Sequence, residues 1–501
     1  MGSIEANNLS YALPGGRVLF KDVNFKVGDG HHVALVGING IGKSTLFRLI
    51  AGDMESKSGH VRVDGRLGAM TQFADRDPKM TVRRFLLSYS PLVIQNAAAE
   101  LATAECAVEK EATPESNLRY ANALSSWGEV GGYNAEVLWE QCTTAAFGRS
   151  LEEVGHRPVS TLSGGEQKRL ALEVLFRSDA DVLLLDEPDN FLDIPGKRWL
   201  EDKMNASLRT ILYVSHDRAL LANTSSRVVT LEAGGAWVHP ESYFTYETAR
   251  RARLGRIEEE QKLFRHEKDR LNTILKEYKR KSAYNDKFAT KANSMEKRIE
   301  RFERDNAPRE RAKEQRIKMD LGGGRTGKIV FKADNFAIPG LIEGLTTEVH
   351  YGERIGVVGP NGAGKSHLLR LLGGEEIAHS GEWKLGARVD PGLFSQTNDR
   401  SDLESIPLVD IIRSEGLDLT RAMSGLKRYE LHPEAQNRFE SLSGGQQARF
   451  QLLMTELRSP TMLLLDEPTD NLDIDSAEAL ERGLAAYQGA VIAVTHDRWF
   501  M

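Results

Sequence analysis

The sequence predicts an α/β protein in which one domain is built twice in tandem, with an antiparallel α-helical hairpin between the copies. Three observations predict it. A set of motifs occurs twice in the same order along the 501 residues. Each copy opens on an apolar strand, a glycine-rich loop and an amphipathic helix. Between the copies lies a basic, heptad-patterned stretch that belongs to neither. The length suits two or three domains rather than one core. With 66 Lys+Arg against 72 Asp+Glu the formal net charge is −6, and 40% apolar with 28% charged residues is a globular composition. Two cysteines, Cys106 and Cys142, exclude a disulfide framework, a structural zinc site and an iron–sulfur cluster, and point to a reducing compartment. No stretch approaches the roughly 18 uncharged residues of a membrane helix. The N-terminus carries no basic-then-apolar leader. The expectation is a cytoplasmic protein with no membrane partner.

The loop Gly37-Ile-Asn39-Gly40-Ile-Gly42-Lys43-Ser44 returns as Gly359-Pro-Asn361-Gly362-Ala-Gly364-Lys365-Ser366, 322 residues later. Leu162-Ser163-Gly164-Gly165-Glu166 returns as Leu442-Ser443-Gly444-Gly445-Gln446 at an offset of 280. Asp186-Glu187 and His216 return at the same 280 as Asp466-Glu467 and His496, while Gln72 pairs with Gln396 at 324. The first copy therefore holds 324 − 280 = 44 extra residues between Gln72 and Ser163, roughly 88–131. A repeat this long is a duplicated domain, not a solenoid.

In each copy the glycine loop joins an apolar run (Val33-Ala-Leu-Val36; Ile355-Gly-Val-Val358) to an amphipathic helix, which is the context a phosphate site demands. Glycines let backbone N–H groups turn onto a triphosphate, and the helix N-terminus adds its positive end. Lys43 and Lys365 would reach the β- and γ-phosphates, with Ser44 and Ser366 on Mg²⁺. A strand ending in two carboxylates supplies one for the metal (Asp186, Asp466) and one to polarise the attacking water (Glu187, Glu467). Ser163-Gly164-Gly165 and Ser443-Gly444-Gly445 open helices and form a second kind of anion site. A domain with one phosphate loop has no use for another in the same pocket, so each Ser-Gly-Gly is expected to face the other copy's nucleotide.

With these motifs in order, the sequence resembles the ATP-binding cassette (ABC) superfamily. The resemblance implies two cassettes closing head-to-tail within one monomer around two ATP molecules. Site one would join Lys43, Ser44, Gln72, Asp186, Glu187 and His216 to Ser443 and Gly445. Site two would join Lys365, Ser366, Gln396, Asp466, Glu467 and His496 to Ser163 and Gly165. Gln72 and Gln396 match the family's metal- and γ-phosphate-sensing glutamine, and His216 and His496 its γ-phosphate histidine. Tyr11 matches the aromatic that stacks on adenine, whereas the second copy offers Ile338 with Phe336 nearby. His367 stands where the first copy has Thr45. After the glutamates the copies read Pro188-Asp-Asn-Phe-Leu-Asp193 and Pro468-Thr-Asp-Asn-Leu-Asp473, in which Asp189 and Phe191 are unusual. Both sites are expected to be competent, at unequal rates.

Residues 241–320 hold 23 Lys/Arg against 16 Asp/Glu, a net of +7 inside a chain of −6. Leu254, Ile257, Gln261, Phe264, Lys268, Leu271, Leu275 and Tyr278 follow alternating steps of three and four, as do Phe288, Ala292, Met295, Ile299 and Phe302. Two heptad helices around a polar stretch at 279–287 describe the hairpin, its first helix about 35 residues or 50 Å long. Gly322-Gly-Gly324 would return the chain flexibly to the second copy. Around the bend, residues 276–298 hold eight basic and three acidic groups. Lys276, Lys279, Arg280, Lys281, Lys287 and Lys291, with Tyr284 and Phe288 among them, are RNA-contact candidates. A solvated charged coiled coil is the alternative. The expected domains are 1–240, 241–325 for the hairpin, and 326–501.

Two fused cassettes, no membrane span and a basic hairpin resemble the ABC-F subfamily. That implies a ribosome partner, with the hairpin toward 23S rRNA and peptidyl-tRNA, in translation control or antibiotic protection. The extra segment of the first copy looks like the subfamily's arm. Residues 97–145 hold eight Glu and two basic groups, which suits a basic ribosomal protein; a merely longer helical subdomain is the alternative. A different-class alternative is the twin-cassette ATPase subunit of a membrane transporter for drugs or sugars. The chain ends five residues after His496, whereas the first copy runs on some 25 past His216, so the second copy is expected to lack its last strands.

Overall fold

The computed structural model describes residues 2–13, 15–70, 79–282, 286–308, 317–395 and 405–501. In the first half a six-stranded sheet runs in the order Leu67–Met70, Val182–Asp186, Thr210–Val214, His32–Val36, Arg227–Glu232, Gly235–His239. Its first five strands pair in parallel, and the last is antiparallel. Val182–Asp186 and Thr210–Val214 are buried at every residue because helices and a second sheet cover the two faces. Successive side chains alternate between two cores. Leu183, Leu185, Ile211 and Tyr213 join one with Leu170 and Leu220. Val182, Leu184, Leu212 and Val214 join the other with Leu46 and the antiparallel strands.

The second half repeats the design with Pro391–Phe394, Met462–Asp466, Ala490–Val494 and Arg354–Val357 in the same order. No strands equivalent to Arg227–Glu232 and Gly235–His239 occur among its described residues. A three-stranded antiparallel sheet flanks each half, with Ser3–Ala12 or Ile329–Ile338 at its centre.

The extra residues of the first half form helices Leu92–Lys110 and Pro114–Glu129, followed by Gly132–Phe147. Thr113 and Ser116 make a reciprocal capping box, with Pro114 at the first turn, so the second of these helices starts sharply. The Trp127 and Trp139 rings pack 6.4 Å apart over fully buried Cys142. A Cβ on Gly132 would fall 2.1 Å from the Trp127 ring. Gly132→Ala is therefore expected to destabilise this subdomain by about 1–3 kcal/mol. Hydrogen exchange should show loss of protection in residues 132–147 while the sheet stays protected.

The hairpin helices are Tyr243–Ser282, 40 residues or about 60 Å, and Asp286–Asn306, 21 residues. The first continues through Lys279-Arg280-Lys281, where the sequence suggested a polar break, because nothing in that stretch disfavours helix. Leu271, Ala292 and Ile299 are buried along the seam, and Leu254 and Ile257 are buried nearer its root. Phe264 stacks on Phe302 at 5.0 Å and Tyr278 meets Phe288 at 6.0 Å, which fixes the antiparallel register. Lys268, polar at an apolar heptad position, bonds Glu303 at 2.8 Å. The expected flexible return at Gly322-Gly-Gly324 is corrected. Ile317 and Leu321 are buried in the second half's core, and a Cβ on Gly323 would stand 2.8 Å from the Tyr487 ring. Glycine serves close packing there rather than freedom.

Candidate functional site

Each glycine loop ends on a left-handed N-cap, Gly42 (φ 106°) and Gly364 (φ 85°), from which Lys43–Ala51 and Lys365–Leu372 start. A Cβ at these positions would meet Phe20 at 3.1 Å and Leu341 at 2.7 Å, so both the φ and the close approach call for glycine. The first N–H groups of both helices have no partner within the helix. Lys43, 8% exposed, donates to the Gly37 carbonyl at 2.7 Å, and Lys365 to that of Gly359 at 2.8 Å. Burial lowers the pKa of both lysines.

Asp186 and Asp466 end their strands, where burial raises their pKa and the nearby Ser44 and Ser366 hydroxyls pull it back. The residue after each, Glu187 (φ 50°) and Glu467 (φ 47°), is held left-handed while its N–H donates to Val214 or Val494 at 2.9 Å. A non-glycine residue in that region is strained by about 1–3 kcal/mol, and such strain clusters at functional sites. Burial, with Asp186 and Asp189 adding repulsion, pushes Glu187 up to about 7. Burial and Asp470 push Glu467 up to about 8. Burial, aided by Lys43, brings His216 down to about 3, and burial with Lys365 and Lys197 brings His496 down to about 4. Both imidazoles are thus neutral, and their approaches of 3.9 and 3.5 Å to Glu187 and Glu467 are polar contacts rather than ion pairs.

Ser163 and Ser443 cap helices Gly164–Arg177 and Gly444–Arg458 in capping boxes with Glu166 and Gln446. The serine side chain is thereby bound to its own helix, leaving the N–H groups of the helix start as anion donors.

The arrangement of the two halves is crossed. One cavity of about 830 Å³ is lined by Asn39, Gly40, Gly42, Lys43, Ser44 and Thr45 together with Ser443, Gly444 and Gly445. The same cavity takes in Asn361, Gly362, Gly364, Lys365, Ser366 and His367 with Ser163, Gly164 and Gly165. A Cβ on Gly445 would stand 2.6 Å from Asn39 Nδ2, and one on Gly165 3.6 Å from Asn361 Nδ2. Asn39 donates to the Asn471 carbonyl at 3.2 Å and to Asp473 at 3.3 Å, and Asn361 donates to the Phe191 carbonyl at 3.1 Å. Each Ser-Gly-Gly therefore sits against the loop of the other half. Glu187, Glu467, His216, His496 and Asp466 also line the cavity. Asp186 is buried and is not among the lining residues. Gly37 and Gly359 face their lysines from the loop's first turn rather than the cavity. Tyr11 stands on its strand 6.4 Å from Phe20 and is not among the lining residues. Ile338 and Phe336 are buried in the second half's core. Gln72, Gln396 and Tyr284 lie outside the described residues.

A family profile described as ABC transporter matches residues 20–190 and 342–470. An antibiotic resistance protein of Mycobacteroides abscessus is 45% identical over 100% of this chain and 96% of its own length. The chain belongs to the ABC family, in its ABC-F subfamily. The energy-dependent translational throttle protein of Haemophilus influenzae is 29% identical over 98% of this chain and 88% of its own. The fold also matches the archaeal ribosome recycling factor solved with the ribosomal stalk protein aP1. The TM-score there is 0.58 at 19% identity, covering 98% of this chain and 85% of that one. Family membership makes this ABC-F protein an ATP-binding and ATP-hydrolysing one. Among the described residues no helix is long and apolar enough to cross a membrane.

Sequence reasoning missed what joins the cassettes. Arg218, 3% exposed, bonds Glu481, and Arg498 bonds Glu201. Both the arginines and the glutamates are related by the repeat's own offset of 280, the signal that would have found them.

Proposed function

We propose that this ABC-F protein is a cytoplasmic ATPase that binds the ribosome with its cassettes closed on two ATP molecules, applies its basic hairpin to tRNA and rRNA, and leaves after hydrolysis. The observation that carries the reading is the crossed placement of Ser443 and Gly445 on the Lys43 loop and of Ser163 and Gly165 on the Lys365 loop. A γ-phosphate seated there touches both cassettes, so ATP stabilises the closed form and hydrolysis removes the shared contacts.

In site one the Lys43 loop takes the phosphates, Glu187 accepts a proton from the attacking water, and His216 faces the γ-phosphate. Lys365, Glu467 and His496 do the same in site two. The residues fit Mg²⁺: Asp186 Oδ1 and Asp466 Oδ1 are buried with no hydrogen-bond partner among the described residues, and a serine hydroxyl adjoins each carboxylate. Ser44 with Asp186 and Ser366 with Asp466 would hold the ion, joined in the subfamily's pattern by Gln72 and Gln396. It supplies charge neutralisation at the β- and γ-phosphates.

The hairpin is rooted in both cassettes. Arg253 bonds Glu232 and Tyr246 bonds Thr230 at 2.9 Å in the first, while Arg250 makes paired bonds to Asp475 at 3.0 and 3.3 Å in the second. Cassette closure accordingly sets the hairpin's angle. At the bend Lys281 and Lys291 lie 5.7 and 5.3 Å from the Phe288 ring, a cationic surface suited to phosphate and bases. The acidic helical insertion suits a basic ribosomal protein. The activities for which two relatives are named, antibiotic resistance and translational throttling, agree with a translation role.

Co-sedimentation with ribosomes tests the reading. The protein should pellet with them in a non-hydrolysable ATP analogue and stay free in ADP. Absence from ribosomes in both, with co-purification of a permease, would instead make it a transporter ATPase subunit.

A further inference from the structure

The two sites differ at a buried residue outside the motifs. Lys197, on helix Ile194–Ala206, is 7% exposed and lies at the cassette interface. Its ammonium bonds Asp217 at 3.0 Å within its own cassette and donates to the main-chain carbonyl of His496 at 3.2 Å in the other. Asp189, itself buried, and Asp470 of the second cassette add favourable charge at longer range. A buried ammonium needs such partners, since desolvation alone would expel it. The repeat offset of 280 places Ala477 opposite Lys197 and Thr469 opposite Asp189. The lysine and its added aspartate are therefore a matched pair found on one side only. The unusual Asp189 in the first copy has its physical reason here.

The histidines follow that asymmetry. His496 Nε2 lies 3.1 Å from Asn361 Oδ1 and 3.3 Å from Lys365 Nζ, within reach of the Lys365 loop. The ring nitrogens of His216 have no hydrogen-bond partner among the described residues.

We propose that Lys197 is a positioning residue of the second ATP site: anchored in the first cassette by Asp217, it holds the His496 loop from behind through that loop's main-chain carbonyl. Site one, with Ala477 in the equivalent place, has no such brace. The inference rests on the two-site reading above. It adds that site two can be set for hydrolysis only when the first cassette is docked against it, which makes turnover at that site depend on closure more strictly than at site one.

The test uses the full chain in two backgrounds, Glu187→Gln (site two active) and Glu467→Gln (site one active), with ATP hydrolysis measured in each. Removing Lys197 alone strands two buried carboxylates, so the variant of choice is Lys197→Ala with Asp189→Thr, the pair that the second cassette carries. Loss of a positioning contact should lower kcat of site two about tenfold or more with KM little changed, because misplacement acts on the reacting geometry. Site one should lose far less. Lys197→Arg, which keeps the charge and a donor, should recover part of the site-two rate. Equal losses at both sites, or a loss in KM alone, would overturn the inference and leave Lys197 a structural residue; no loss at either would overturn it too. If the Glu→Gln backgrounds themselves hydrolyse ATP at the parental rate, it is the two-site reading that fails.

Discussion

The doubly substituted Glu187→Gln, Glu467→Gln protein is expected to bind ATP, close, and stay on the ribosome, with hydrolysis reduced about 10²–10⁴-fold, the range of a lost general base. Each glutamate follows a metal-side aspartate, is held at φ 50° or 47°, and lines the shared cavity. Glutamine keeps the shape and the hydrogen-bonding reach while removing the proton acceptor. The lysine loops and the opposing Ser-Gly-Gly segments are untouched, so nucleotide affinity and closure should persist. Single substitutions should give intermediate rates, because either site alone can still turn over. Rapid hydrolysis by the double variant, or its release from ribosomes in ATP, would break the cycle.

The second large effect concerns the hairpin. Lys276, Arg280, Lys287 and Lys291 are exposed near the bend. Changing all four to glutamine should flatten the log–log salt dependence of ribosome binding by about 3, at roughly 0.7–0.9 per phosphate contact. The helices should stay paired, since the Lys279–Glu296 and Lys268–Glu303 ion pairs and the Phe264–Phe302 stack are retained. An unchanged slope would return the hairpin to a solvated spacer.

Much of this molecule can be read in its residues. The apolar runs at Val182–Asp186 and Met462–Asp466 are buried strands because a parallel sheet hides both faces, and the glycine loops precede helices because left-handed N-caps there tolerate little else. That each Ser-Gly-Gly lies across from the other copy's loop followed from economy: one pocket has no room for two anion cradles. The two helices of the hairpin followed from its heptads. Three features were hidden. The Gly322-Gly-Gly324 strap looked mobile because composition does not show that Tyr487 waits beneath it. The capping boxes that tie Ser163 to Glu166 and Ser443 to Gln446 went unread, although each partner stands three residues after its serine. The Arg218–Glu481 and Arg498–Glu201 pairs and the Lys197 brace join residues 263 to 299 positions apart, and only the fold brings them together.

On the proposed reading each nucleotide is gripped by a lysine loop of one cassette and a glycine of the other. A side chain at Gly445 would stand 2.6 Å from Asn39 Nδ2 and 2.8 Å from the Asn471 carbonyl, at the mouth of site one. The most direct measurement is therefore single-site ATP hydrolysis by Gly445→Val in the two backgrounds. With Glu467→Gln, where only the Lys43 site works, the rate should fall about 10²-fold or more; with Glu187→Gln it should fall much less. The opposite pattern, with the loss at the Lys365 site of Gly445's own cassette, would contradict the account.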